Sequence, residues 1–356
     1  MKILIIAFYP RSWTVHSLLY EKLLKRYNVY YDIVFWDRFN NGEIEINGNE
    51  YIIHRKCPLD GNKFNKILPM LYYRKIVKKL ISENKYKKLI VLNTLTGIVI
   101  SDMLLEHFKN NYVFDIRDHT YENYTLYKKR VNKLIKNSFM TSISSKGFLS
   151  FLENKEKIYV NHNISNENKT YNADLFLANK GKVVIGYVGF VRYKAADELI
   201  LTKLKNNKKY CLKYIGYQPK SINLREFANN NNINNVVFKD AFENKDKPVI
   251  YETIDFINSY YGNGTPEVDT LLSNRLYDCL VFKKPIIVAK HTYMGKIVEK
   301  YNLGIAISKD DDLKTKLDNF IKNFNAVEFE KTTNMLLKIV ANDQKKIVEK
   351  LKEFIK

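Results

Sequence analysis

The feature that most constrains this chain is an alternation that runs twice. Short apolar runs alternate with stretches of helical period. "KILIIAFY" reads as a buried strand and "HSLLYEKLLKRY" as an amphipathic helix. "YDIVFW" and "YIIHR" read as strands, and "KILPMLYYRKIVKKLISENKY" as a helix with an early proline. "KLIVLNT", a helix from about Gly97 to Lys109, "NYVFDIRD", a helix near Tyr124 to Lys136, "FMTSIS" and "KIYVNHN" complete the first series. A polar, weakly periodic segment follows, Asn163 to Lys182. The alternation then restarts with "KVVIGYVGF", "YCLKYIGY", a helix near Leu224 to Asn230, "VVFKDAF", "TIDFINSYY", "SNRLYDCLVFKKPIIV" and "LGIAI". The last fifty or so residues read as helical. Strands alternating with helices predict parallel α/β layers. The division expected is an N-terminal Rossmann-like domain over 1–165, a linker over 166–181 and a second such domain over 182–335. A helix over 336–356 is expected to pack back towards the first domain.

Length and composition agree with this plan. At 356 residues the chain suits two cores. Hydrophobic residues make up 46%, enough to bury both. Lys and Arg outnumber Asp and Glu by 59 to 38, a net charge of +21, which points to an anionic partner. The crowding of Lys, Asn, Ile and Tyr is also what an AT-rich coding sequence produces, so bias supplies part of the charge. Cys57, Cys211 and Cys279 form no metal spacing and no disulfide framework, which fits a reducing cytosol. "MKILIIAFYPR" lacks the cleavage site of a signal peptide, and no apolar run is long enough to span a bilayer.

In open parallel sheets ligands bind beyond the carboxyl ends of the strands, which singles out a few loops. "GYVGFVRYK" ends a strand at Gly189 and sets Arg192 and Lys194 before a helix. Glycine permits close backbone approach, and the two cations suit a phosphate. "YIGYQPK" makes a turn in which Tyr217 can line a base pocket. In "SNRLYDCLVFKKPIIV", Ser273 is expected to cap a helix starting at Asn274, whose first-turn N–H groups and dipole favour a phosphate. Asp278 has two readings: a carboxylate for paired ribose hydroxyls, or a surface partner of Arg275 at i, i+3. "YGNGTPEVD" forms a tight loop carrying Glu267 and Asp269. In the first half, "FDIRDHT" ends a strand with Arg117, Asp118 and His119, and "YPRSW" carries Arg11 after the first strand.

Together these pieces resemble a glycosyltransferase of the GT-B fold, most like glycosyltransferase family 4. "IGYVGFVRYK" resembles the start of that family's nucleotide-binding half, which assigns Arg192 and Lys194 to the donor diphosphate. "SNRLYDCLVFKKPIIV" resembles the family's P-N-K-L-x-E-x-L-x-x-G-K-P-V-I pattern, which puts Ser273, Asn274 and Arg275 at the donor and Asp278 at its ribose. The chain departs from the family in two places: Thr270 stands eight residues before Asp278 where an acid is usual, and Lys283 replaces a glycine.

The resemblance implies two Rossmann-like domains facing a cleft and transfer of a hexosyl or N-acetylhexosaminyl group from a nucleoside-diphosphate sugar. A UDP-sugar is expected ahead of a GDP-sugar, with no cofactor and no metal, and with retention at the anomeric carbon. Asp118 and His119 are expected to orient or deprotonate the acceptor, and Glu267 to support developing positive charge. The acceptor expected is a glycan or lipid-linked oligosaccharide of capsule, O-antigen or another bacterial surface polysaccharide. The place expected is the cytoplasm, at the inner face of the plasma membrane. The segment 63–88 carries nine basic residues and one acid with apolar residues interleaved, which suits an anionic membrane surface as well as an ordinary packed helix. Rival readings are a nucleotide-sugar epimerase, a non-catalytic subunit of the same fold and a nucleic-acid-binding protein. No recognised nucleic-acid module is present, so no nucleic-acid partner is expected.

Overall fold

A computed structural model describes residues 1–58, 63–164, 181–219 and 221–356. The expected linker at 166–181 falls, apart from its last residue, outside them. The chain forms two compact units, Met1–His162 with Asn342–Lys356, and Asn163–Ala341.

The first unit is built on eight strands: β1 (Lys2–Ile6), β2 (Tyr30–Asp37), β3 (Glu45–Asn47), β4 (Glu50–His54), β5 (Lys88–Leu92), β6 (Tyr112–Ile116), β7 (Met140–Ile143) and β8 (Ile158–Val160). Their order is β3-β4-β2-β1-β5-β6-β7-β8, parallel except for the β3–β4 hairpin. The second unit carries β9 (Val183–Val188), β10 (Tyr210–Ile215), β11 (Val236–Lys239), β12 (Phe256–Asn258), β13 (Ile286–Ala289) and β14 (Gly304–Ile307). All are parallel, in the order β11-β10-β9-β12-β13-β14. That is the doubly wound Rossmann order. The α/β expectation therefore holds in both halves.

The central strands are apolar throughout because helices cover both faces of each sheet. In the first unit Leu4, Ile6, Val34 and Phe114 pack in one core while Ile3, Ile5, Ile33 and Val113 pack in another. In the second unit Ile185, Tyr187, Leu212 and Ile287 pack in one core, and Val188, Ile215, Ile257 and Val288 in another. The last helix, Ala326–Ile355, contributes Phe329 and Leu336 to a core of the second unit and Ile347, Leu351 and Phe354 to one of the first. The chain leaves the first unit after His162 and re-enters it at Asn342. There Asp343 takes both Lys146 (2.9 Å) and His162 (3.3 Å), tying exit to re-entry.

Two local readings change. The hairpin strand β3 was not foreseen: its three residues are exposed and carry no burial pattern, although "NGNE" is a two-residue turn signal. The helix expected from Gly97 to Lys109 is two, Thr94–Val99 and Ser101–His107, meeting at Ile100.

The parallel strands of each sheet reverse their order once, between β1 and β5 and between β9 and β12. The carboxyl ends of those strands are where this architecture receives ligands.

Candidate functional site

At the second switch point the strand ends are joined backbone to backbone. Gly189 N–H donates to Ile215 O (2.8 Å), and Val191 N–H to Tyr217 O (3.0 Å). Gly189 and Gly216 take φ of +120° and +138°, values that L side chains rarely adopt. A Cβ on Gly216 would lie 2.1 Å from the Gly189 carbonyl oxygen, so the two turns touch at a point where only glycine fits.

Those turns present a paired aromatic surface. Phe190 and Tyr217 stack at 5.3 Å with an interplanar angle of 26°, and both are about half exposed. The exposed Arg192 guanidinium lies 5.6 Å from the Phe190 ring. Lys194 opens the helix Lys194–Lys203, with Glu198 3.7 Å away at i, i+4. Arg192, Lys194 and Tyr217 therefore share the carboxyl edges of β9 and β10.

The helix Asn274–Phe282 starts at the same edge, with changed roles for its residues. Ser273 holds the cap position but makes no cap bond. Its hydroxyl pairs with that of Ser259 at 2.8 Å, just past the end of β12. The expected Ser273 cap is thus replaced by a tie to the strand end, and no side chain caps the helix. Asn274 is exposed and accepts from Asn163 (2.9 Å).

Arg275 turns inward. Its Nε donates to Val188 O (2.7 Å), its Nη1 to the Tyr261 hydroxyl (2.6 Å), and its guanidinium lies 3.5 Å from the centre of the Tyr187 ring. Burial opposes its charge, but the phenols of Tyr261 and Tyr187 outweigh that and hold its pKa up. Arg275 therefore braces β9 from beneath the glycine turn. Nearby, Asp197 is buried beside the Tyr214 hydroxyl. Burial pushes its carboxyl up to about 7, against the pull of Arg275.

Asp278 is also buried. Its carboxylate accepts from Lys247 Nζ at 3.0 Å through each oxygen and from the Tyr251 hydroxyl at 2.8 Å. The surface pairing with Arg275 is thereby excluded. Glu267 is exposed and accepts from the Tyr193 hydroxyl (3.0 Å), linking the β12 loop to the β9 loop. Among the described residues no three His, Cys, Asp or Glu side chains gather as a metal site.

In the first unit the expected pair separates. Asp118 is exposed, whereas the His119 side chain is buried beside Phe151 (5.1 Å between rings) and 3.9 Å from Glu122. Arg11 is committed to Glu21 through two bonds of 2.6 and 3.0 Å. At the end of β5, Asn93 takes φ +73° and ψ 150°, a strained conformation at the switch point. His16 was not singled out; burial above all pushes its pKa down to about 4. Lys247, Phe190 and Tyr193 also escaped the sequence reading. Phe190 alone left a signal, an aromatic residue just past a glycine turn.

No family model matches the chain, and no curated protein matches it. Solved structures do. Sucrose-phosphate synthase from Thermosynechococcus elongatus superposes with a TM-score of 0.69 at 11% identity, over 99% of each chain. The lipopolysaccharide outer core galactosyltransferase WaaB, in its apo form, gives 0.65 at 12% identity over 100% of this chain and 99% of its own. Anabaena HepE, in complex with UDP and glucose, gives 0.63 at 12% over 99% and 100%. The chain has the GT-B fold of these proteins. At such identities the fold is what they share, and activity has to be argued from this chain's own residues.

Proposed function

We propose that the chain is a glycosyltransferase that takes its sugar from a nucleoside-diphosphate donor bound at the carboxyl edge of the second sheet. One observation carries this reading. Two mutually locked glycine turns, the cations Arg192 and Lys194 and an uncapped helix start converge at one switch point. The first-turn N–H groups of Asn274 and Arg275, with no side-chain cap, and two cations suit a diphosphate, whose developing charge they would stabilise as it departs. The Phe190–Tyr217 stack offers a face to the base. A UDP-sugar is favoured, in keeping with HepE, which was solved with UDP and glucose. Asp278 has about four acceptor sites, and Lys247 and Tyr251 use three, leaving one for a ribose hydroxyl.

On the first unit, Asp118 is the acceptor-orienting group, and His119 supports its loop from within. The acceptor is a surface glycan or its lipid-linked precursor. The transfer proceeds without a metal and with retention.

The nucleotide test is thermal stabilisation of the full chain by UDP, GDP and their sugars. At a hundredfold excess over Kd, UDP is expected to add about 2.7 kcal/mol. Arg192→Ala, an exposed change, is expected to remove most of that shift while leaving the unliganded Tm unchanged. A shift that ignores Arg192 would place the nucleotide elsewhere. An epimerised sugar nucleotide formed without acceptor would replace transfer with epimerisation.

The membrane side of the reading rests on the helix Ile67–Glu83 and the turn before it. Phe64, Ile67, Leu68 and Leu71 are exposed by 75, 47, 73 and 54%. Their i, i+3, i+4, i+7 spacing is one helical stripe, and lysines flank it. No described helix is long and apolar enough to cross a membrane. Cosedimentation with phosphatidylglycerol vesicles, lost in Leu68→Asp and absent with phosphatidylcholine, is the expected outcome. Equal recovery with both lipids contradicts an electrostatic surface contact.

A further inference from the structure

The carboxyl edge of the first sheet carries an aromatic surface that the donor chemistry does not use. Phe8, Trp36 and Tyr73 pack in the core below it, with Trp36 and Tyr73 stacked at 4.9 Å. From there the rings continue outward. Tyr9 lies 5.9 Å from Phe8, Trp13 lies 6.0 Å from Tyr9, and Phe39 meets Trp13 edge-on at 5.4 Å. The last two surface, each 49% exposed.

Both stand on fixed backbone. Trp13 N–H donates to Pro10 O (3.0 Å), and the Thr14 hydroxyl donates to the same carbonyl at 2.9 Å. Phe39 N–H donates to Asp37 Oδ1 (2.9 Å). The buried Arg38 lies 5.1 to 5.8 Å from the rings of Trp36, Phe8 and Tyr9, holding the base of the platform. The rings are thus presented already ordered, and a ligand meeting them would not have to supply that ordering entropy.

Two features narrow the ligand. The half-exposed rings of Trp13 and Phe39 match the size of one sugar ring, whereas a stable protein interface buries at least about 1,200 Å². The carboxylate near it that faces solvent is Asp118: Asp37 underlies Phe39 but already takes the Phe39 N–H, the Asn40 amide and His54 Nδ1 (2.8 Å), whereas Asp118 is exposed and close enough to Tyr9 to raise its hydroxyl pKa, together with burial, the larger cause. Arg11 and Arg38 are occupied, by Glu21 and by the rings respectively. A carboxylate such as Asp118 accepts hydroxyl hydrogen bonds, while the apolar C–H face of a pyranose lies well on an aromatic ring.

We propose that Trp13 and Phe39 form a carbohydrate subsite, stacking one sugar ring of the acceptor glycan while Asp118 takes its hydroxyls. The inference rests on the sugar-transfer reading and specifies its acceptor side. The test uses labelled full-length protein on a printed array of bacterial oligosaccharides, with UDP stabilisation measured in parallel. Wild type is expected to bind at least one glycan. Trp13→Ala and Phe39→Ala bind it about tenfold more weakly, Trp13→Phe restores it, and all keep the UDP shift. Tryptophan emission gives a second readout, because Trp36 is fully buried and only Trp13 can report the sugar. Glycan binding that ignores both rings, or wild type that binds none of the array, overturns the subsite. If the UDP shift is present in either case, the donor reading survives alone. If ring-dependent glycan binding occurs with no UDP shift, the donor reading falls and the subsite stands.

Discussion

Replacing Asp278 with alanine is expected to cost about 3–5 kcal/mol and to lower the melting temperature by about 10 °C. The cause is the group left behind. Lys247 Nζ, whose side chain is 15% exposed, would lose its only ion-pair partner among the described residues. The Tyr251 hydroxyl would lose its acceptor as well. Asp278→Ala with Lys247→Met should recover most of the loss, because removing both partners leaves no buried charge uncompensated. A single variant that melts like wild type would mean that the carboxylate is not held as described. The same geometry shows which substitution to use for nucleotide work. Asp278→Ala would confuse unfolding with lost affinity, and Asp278→Asn would still leave Lys247 without its counter-charge, whereas the exposed Arg192→Ala disturbs neither partner.

Gly216→Ala is expected to have the second largest effect, about 3 kcal/mol or more, from left-handed strain and a clash with backbone that has nowhere to move. The added methyl would lie 2.1 Å from Gly189 O, and relieving that contact pulls apart the turns that carry Phe190, Arg192 and Tyr217. Stability and UDP binding should therefore fall together. Gly304 supplies the comparison. Its Cβ would lie 2.0 Å from Ile286 O at the opposite, amino end of the sheet. Gly304→Ala should be similarly unstable but, measured below its melting point, should still bind UDP. Intact UDP binding in Gly216→Ala would separate the glycine turns from the nucleotide.

The fold was legible because its central strands are buried on both faces, so "KILII", "KLIVL" and "VVIGYV" read as continuous apolar runs. The hairpin strand β3 was not, because its exposed residues carry no such run. The loops that could bear a site were equally legible, since strand ends in a parallel sheet all lie along one edge. What the sequence did not reveal was where each side chain goes. Arg275 and Asp278 sit three residues apart on one helix, yet one braces β9 and the other binds Lys247. Asp118 and His119 are neighbours in sequence, and only Asp118 is exposed. The Phe190–Tyr217 stack joins residues from two different strand ends. Such pairings depend on contacts distant in sequence, and local spacing holds no record of them.

The central claim is that a nucleoside diphosphate binds the carboxyl edge of the second sheet. Amide hydrogen exchange of the full-length chain, with and without UDP, tests it most directly. The account predicts protection concentrated at 189–194, 216–218 and 273–276, the two glycine turns and the uncapped helix start. Exchange at those segments that is unchanged by saturating UDP would contradict it.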